Sequence, residues 1–113
     1  MSKQEPDPRE DAFRALADPT RRRILDLIAE HGVRSVGELA DEFPGLVASG
    51  ISKHLMTLRA AGLVAATKEG RRQLYRIDAT GMNRAFGAWV ATFDAYWQTS
   101  LERLRDLAEG DGV

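Results

Sequence analysis

Apolar side chains recur along this chain at helical spacing in five segments and cluster in two shorter, strand-like ones. Phe13, Leu16 and Ala17 form a stripe that stops at Asp18-Pro19, because the residue before a proline is pushed out of the helical region. Asp18 then caps a second helix with Pro19 at its first position, where the missing N–H costs nothing. Ile24, Leu25, Leu27 and Ile28 supply the buried stripe of that helix up to His31-Gly32. Ser35 caps a third helix with Glu38 at capping-box spacing, and Val36, Leu39, Ala40 and Phe43 face inward until Pro44-Gly45 ends it. A fourth helix puts Ile51, Leu55 and Leu58 on one face, with Ser49 as its cap and Gly62 as its terminator. Residues 63–68 and 73–78 read as strands around Glu69-Gly70-Arg71-Arg72, a connection of hairpin length. From Ala79 the helical pattern returns, and Phe86, Val90, Phe93, Trp97, Leu101, Leu104 and Ala108 recur every three or four residues. The expected fold is mainly α with a small β-hairpin, in the order ααααββα. Residues 1–8, with two prolines and alternating charges, read as a disordered lead-in to one domain spanning 9–109, and Gly110 to Val113 as a fraying tail.

Composition narrows the function. A chain of 113 residues holds one core, and no apolar run approaches the roughly 20 residues that a membrane span needs. The polar first residues lack a signal-like apolar stretch, which points to the cytoplasm. Cysteine is absent, so disulfides, thiolate nucleophiles and thiolate metal sites are excluded. The formal net charge of −1 hides an asymmetry. Between Ser49 and Arg76 stand Lys53, Arg59, Lys68, Arg71, Arg72 and Arg76 against Glu69 alone, whereas the acids gather in the flanks, from Glu5 to Asp11 and from Asp94 to Asp111. One polyanion-facing surface on an acidic body accounts for that distribution.

A helix pair joined by a tight turn, followed by a basic hairpin, predicts a winged helix-turn-helix: the second helix fits a major groove of double-stranded DNA and the hairpin reaches the adjacent backbone or minor groove. With Ile51, Leu55 and Leu58 inward, the 100° helical step turns Ser49, Lys53, Met56, Thr57 and Ala60 outward and leaves Ser52, His54 and Arg59 on the shoulders. Ser49, Ser52, Lys53 and Thr57 are candidate base readers, and His54 and Arg59 on the shoulders are candidate DNA contacts beside them. Ser49 and Ser52 serve equally well as helix caps, and His54 as a hydrogen-bonded shoulder residue. Lys68, Arg71 and Arg72 on the hairpin suit phosphate or minor-groove contact. Arg21 and Arg22 lie in the first turn of the second helix, where cations oppose the helix dipole, so phosphate contact is their expected purpose.

The run Ile51-Ser52-Lys53-His54-Leu55-Met56-Thr57-Leu58-Arg59-Ala60-Ala61-Gly62-Leu63-Val64 resembles the recognition-helix signature of the ArsR/SmtB-like regulators. Leu16-Ala17-Asp18-Pro19-Thr20-Arg21-Arg22-Arg23-Ile24-Leu25 is similar to the start of that family's second helix, and Gly70-Arg71-Arg72-Gln73-Leu74-Tyr75-Arg76-Ile77 to its wing. The resemblance covers roughly Phe13 to Ala108, and the aromatic last helix is similar to the metal-independent, autorepressor-like branch. It implies a dimeric transcriptional repressor that blocks a promoter. Metal-sensing members carry cysteines where Ser35 and Gly37 stand here, or Asp and His ligands in the last helix. This chain has neither set, so no metal or other cofactor is expected. The turn Pro44-Gly45-Leu46-Val47-Ala48 is one residue longer than the family's, with Val47 where a capping Ser or Thr is usual.

Phe86, Trp89, Val90, Phe93, Trp97, Leu101 and Leu104 offer more apolar surface than a terminal helix of a small monomer can cover. With Phe13 and Leu16 beside them, they predict a homodimer whose recognition helices enter successive major grooves of a near-palindromic operator. No polar constellation marks an inducer pocket. No Ser-His-acid set, paired carboxylates or phosphate-cradling loop marks an enzyme. The rival from another class is a winged-helix module that binds protein instead of DNA, against which the basic hairpin tip argues.

Overall fold

The computed structural model describes residues 7–110; residues 1–6 of the lead-in expected over 1–8 and residues 111–113 of the tail expected over 110–113 lie outside the described residues, whereas residues 8 and 110 belong to helices. Helix α1 (Pro8–Leu16) begins one residue before Arg9, with the Asp7 carboxylate accepting the Arg9 backbone N–H at 2.9 Å. Asp18 caps α2 (Pro19–His31), accepting from the backbone N–H groups of Thr20 and Arg21 at 2.8 and 3.1 Å. Strand β1 (Arg34–Ser35) leads into α3 (Val36–Ala40), whose capping box is complete: the Glu38 N–H reaches Ser35 Oγ and the Ser35 N–H reaches Glu38 Oε1. The polar spacing between Ser35 and Glu38 was therefore a valid helix start. Its expected end was not: α3 stops at Ala40, and Glu42 and Phe43 continue in single turns that donate to Leu39 and Ala40 carbonyls.

Helix α4 (Ala48–Ala60) corrects a second expectation. Its N-cap is Val47, with no side-chain bond, so Ser49 lies inside the first turn and caps nothing. At the other end Gly62 takes a φ of 79°, which ends the helix and turns the chain into the sheet. Strands β2 (Val64–Glu69) and β3 (Arg72–Ile77) pair antiparallel from Val64 opposite Ile77 to Glu69 opposite Arg72. Gly70 at a φ of 63° is the first central residue of the two-residue turn. The sheet has a third strand that the hydrophobic pattern did not predict: β1 pairs with β3, Arg34 opposite Tyr75 and Ser35 opposite Leu74. Two residues are too few to carry a periodicity.

Ile24, Leu27, Leu39, Ile51, Leu55, Leu58, Leu63 and Val64 are fully buried together, joined by Ala12, Ala15, Leu25, Ile28, Tyr75 and Ala85. The predicted last helix is divided. Helix α5 (Ala79–Met82) passes through a π-helical turn at 83–87 into α6 (Ala88–Gly110). Ala85 in that turn belongs to the core, whereas α6 buries no residue of its own.

Gly81 is where α5 presses on the end of α4, because a Cβ there would sit 1.7 Å from the Gly62 carbonyl oxygen. Backbone on both sides leaves no side chain to yield. Gly81→Ala should lower stability by roughly 1–3 kcal/mol, the usual range for overpacking. A urea titration checks this, with a lower midpoint expected at unchanged slope.

Candidate nucleic-acid interface

The buried stripe of α4 decides what its other face offers. Ile51, Leu55 and Leu58 have no exposed surface, so Ser49, Lys53, Met56, Thr57, Arg59 and Ala60 are exposed while Ser52 and His54 are half-buried. This agrees with the expected outward set and moves only Arg59 from shoulder to surface. The Thr57 hydroxyl donates to the Lys53 carbonyl at 3.2 Å, which leaves its oxygen lone pairs and its methyl group facing outward. Thr57 is thus an acceptor and an apolar contact rather than a donor.

A cleft of about 730 Å³ separates α4 from the wing and α3. Ser52, Met56 and Arg59 line one wall, and Arg71, Arg72 and Gln73 another. Four of the predicted contact residues, Ser52, Arg59, Arg71 and Arg72, therefore converge on one concavity. The wing arginines differ in their commitments. Arg72 Nη2 donates to Glu38 Oε1 at 3.1 Å and ties the wing to the capping box of α3, and Arg76 bonds Thr67 Oγ1 across the hairpin. Arg71 and Lys68 are exposed and have no hydrogen-bond or ion-pair partner among the described residues.

Arg21 and Arg22 lie away from that cleft, and the structure gives both an internal task. Arg21 donates through Nε to the Ala15 carbonyl at 2.7 Å and through Nη2 to the Arg14 carbonyl at 3.2 Å, while Arg22 Nη1 donates to the Leu16 carbonyl. They satisfy the last carbonyls of α1, groups that a helix leaves without partners. Hydrophobic periodicity carried no sign of this. The one sequence signal was a run of three cations, Arg21 to Arg23, in a position that the α2 dipole disfavours. Sequence reasoning also missed Glu38 as an anchor for Arg34 and Arg72, at 3.7 and 3.1 Å.

The expected pairing residues lie along α1, the π-helical turn and α6. Phe13 meets Phe86 and Trp89 edge-on, with ring centroids 5.3 and 5.4 Å apart, and Trp89 meets Phe93 at 5.1 Å. Leu16 and Phe86 are half-buried against the core. Trp89, Val90, Phe93 and Trp97 are each more than half exposed, and Leu101, Leu104 and Leu107 extend that face. Among the described residues no three His, Cys, Asp or Glu side chains gather into a metal-binding group, and no helix is long and apolar enough to cross a membrane.

The helix-turn-helix domain family matches residues 16–66. The HTH-type transcriptional regulator Rv2034 of Mycobacterium tuberculosis is 37% identical over 101 residues, which is 89% of this chain and 89% of that protein. Among solved structures, the ArsR-like transcriptional regulator from Rhodococcus sp. RHA1 is similar with a TM-score of 0.65 and 31% identity, over 89% of this chain and 92% of that one. The homodimeric winged helix-turn-helix DNA-binding domain Mb0332 from Mycobacterium bovis is similar with a TM-score of 0.62 and 34% identity, over 83% of this chain and 91% of that one.

Two carboxylates of this frame are held below their ordinary range. The Glu38 pKa is lowered first by the Ser35 backbone N–H, then by the Ser35 side chain, with Arg34 and Arg72 adding to it. The Asp18 pKa is lowered mainly by the Arg21 backbone N–H. A depressed folded-state pKa contributes stability above the unfolded value and loses it as pH falls through the folded one. Unfolding midpoints should therefore drop as pH is lowered below about 4. Glu38→Gln keeps a side chain able to complete the capping box, so its midpoint should fall less steeply over the same window. Thermal unfolding from pH 7 to pH 2 measures both slopes.

Proposed function

The chain belongs to the ArsR family of winged helix-turn-helix transcriptional regulators, which bind DNA, and from that premise we propose that it works as a homodimeric repressor. In this reading α4 lies in the major groove and the wing lies on the flanking backbone. The observation that carries it is the exposed polar stripe of α4 beside a wing whose Arg71 and Lys68 have no partner among the described residues. Ser49, Ser52, Lys53 and Thr57 read base edges, with Arg59 at the cleft wall. Arg71, Lys68 and the second edge of the Arg72 guanidinium meet phosphates. The operator is near-palindromic because the dimer is two-fold symmetric, with half-sites about one helical turn apart. The protein works in the cytoplasm.

Selection of duplexes from a random-sequence library, followed by gel shift, tests the whole reading: an enriched inverted repeat is expected, and no enrichment overturns it. Division of labour is tested by two variants. Thr57→Ala should relax preference at one position per half-site, worth about 1–3 kcal/mol, with the salt dependence little changed. Arg71→Ala should weaken selected and scrambled duplexes alike and lower the log–log salt slope by about 1 for each phosphate no longer neutralised, so by about 2 per dimer. An unchanged slope would remove the wing from the interface.

Pairing follows from the apolar face of α6, which covers about 34 Å of helix and which no other element of the described chain buries. Phe93 and Trp97 contribute nothing to the protomer core, so replacing both with alanine should yield a monomer. Sedimentation equilibrium at micromolar concentration checks this, and a monomeric wild type would refute the dimer.

A further inference from the structure

Arg21 reaches beyond α1. Its Nη1 lies 3.4 Å from His54 Nδ1 on α4 and 4.0 Å from Asp18 Oδ2, and its side chain keeps only 19% of its surface exposed. A guanidinium has five N–H donors and no acceptor. A hydrogen bond across that distance requires the imidazole nitrogen facing it to present a lone pair, which puts the ring proton of a neutral His54 on Nε2. No partner for Nε2 exists among the described residues, yet no buried side-chain nitrogen or oxygen is left unpaired. Nε2 thus opens to solvent. His54 stands one residue from Lys53 and one helical turn from Thr57, at the edge of the outward face of α4.

We infer that the DNA contact expected of His54 is made by its Nε2–H, donated to a hydrogen-bond acceptor, and that Arg21 is the positioning residue that fixes this proton by occupying Nδ1. The inference rests on the reading of α4 as the recognition helix and adds to it a donor of fixed direction. Lys53 and Ser52 rotate freely enough to serve several partners, whereas an imidazole held at one nitrogen has a single N–H in a single plane. Two acceptors on the duplex share the required chemistry, a backbone phosphate oxygen and the N7 or O6 edge of a purine. The arrangement also explains why an arginine half-buried against the α1 carbonyls stops within hydrogen-bonding distance of the second helix of the motif. Arg21 thereby belongs to the interface without touching DNA.

Two substitutions separate the halves of this device. His54→Asn puts an amide oxygen where Nδ1 stood, so the bond from Arg21 remains and the distal N–H is removed. His54→Gln extends an amide N–H towards the Nε2 position. Affinity is measured on duplexes that the wild-type chain selects from a random library. His54→Asn should bind about 3- to 10-fold more weakly per half-site at an unchanged urea midpoint, and His54→Gln should regain most of that affinity. Duplexes with 7-deazapurines or methylphosphonates at single positions then identify the acceptor: the modification that weakens the wild type but not His54→Asn marks it. Nitrogen-15 spectra of the free protein supply a readout that packing alone would not move. Neutral wild-type His54 should show its proton on Nε2, and Arg21→Ala should shift both nitrogens towards the values of an unrestrained imidazole. A proton on Nδ1, or His54→Asn binding as tightly as wild type, overturns the inference while leaving DNA binding intact. Failure to enrich any duplex would instead overturn the recognition-helix reading, and this inference with it.

Discussion

The whole outward face of α4 depends on the burial of three side chains, Ile51, Leu55 and Leu58. A helix with one apolar stripe has one orientation that removes that stripe from water, and here the stripe closes against Leu39, Leu63 and the α2 residues Ile24 and Leu27. Once it is closed, the azimuth of every other α4 side chain is set. Ser49, Lys53 and Thr57 are outward because the alternative would bury polar groups and expose leucine. Burying a polar group without a partner costs a few kcal/mol, so rotation of α4 by even one residue step is ruled out.

Around that anchor the polar contacts fasten neighbouring elements. Glu38 completes the α3 cap and holds Arg72, so the same carboxylate that starts a helix ties down the wing. Arg21 closes the α1 carbonyls, flanks the Asp18 cap and meets His54. Exposed contacts such as the Glu38–Arg72 pair contribute little individually to stability. Their value here is directional: they choose which arginine is engaged inside the protein and which remains for a polyanion. Six cations between Ser49 and Arg76 are therefore not six equivalent phosphate contacts.

Much of the frame was legible in the sequence because short-range chemistry decided it. Asp18-Pro19, the Ser35–Glu38 pair, Gly62 and the Gly70 turn each impose a local backbone geometry that survives in the fold. The outward face of α4 followed from periodicity alone. What escaped was decided by distant partners. Strand β1 exists because β3 lies beside it, and its two residues show no alternation. The commitments of Arg21, Arg22 and Arg72 depend on carbonyls or a carboxylate brought close only by packing, Glu38 being 34 positions from Arg72. Val47 defeated the cap rule because the chain enters α4 in an extended conformation without any side-chain bond.

The π-helical turn at 83–87 lies between α5 and α6, and it carries one more residue per hydrogen-bonded turn than an α-helix. Such an insertion rotates whatever follows by about 100° relative to an uninterrupted helix. It lets Ala85 stay in the core while Trp89, Val90 and Phe93 face away from it. In a two-fold assembly built on α6, this turn acts as a phase setting. It sets the direction in which the apolar face of α6 leaves each body, and hence how the two bodies are turned about the shared axis. Deletion or insertion of a single residue there would turn that face by the same angle while leaving the buried stripe and the outward face of α4 as they are.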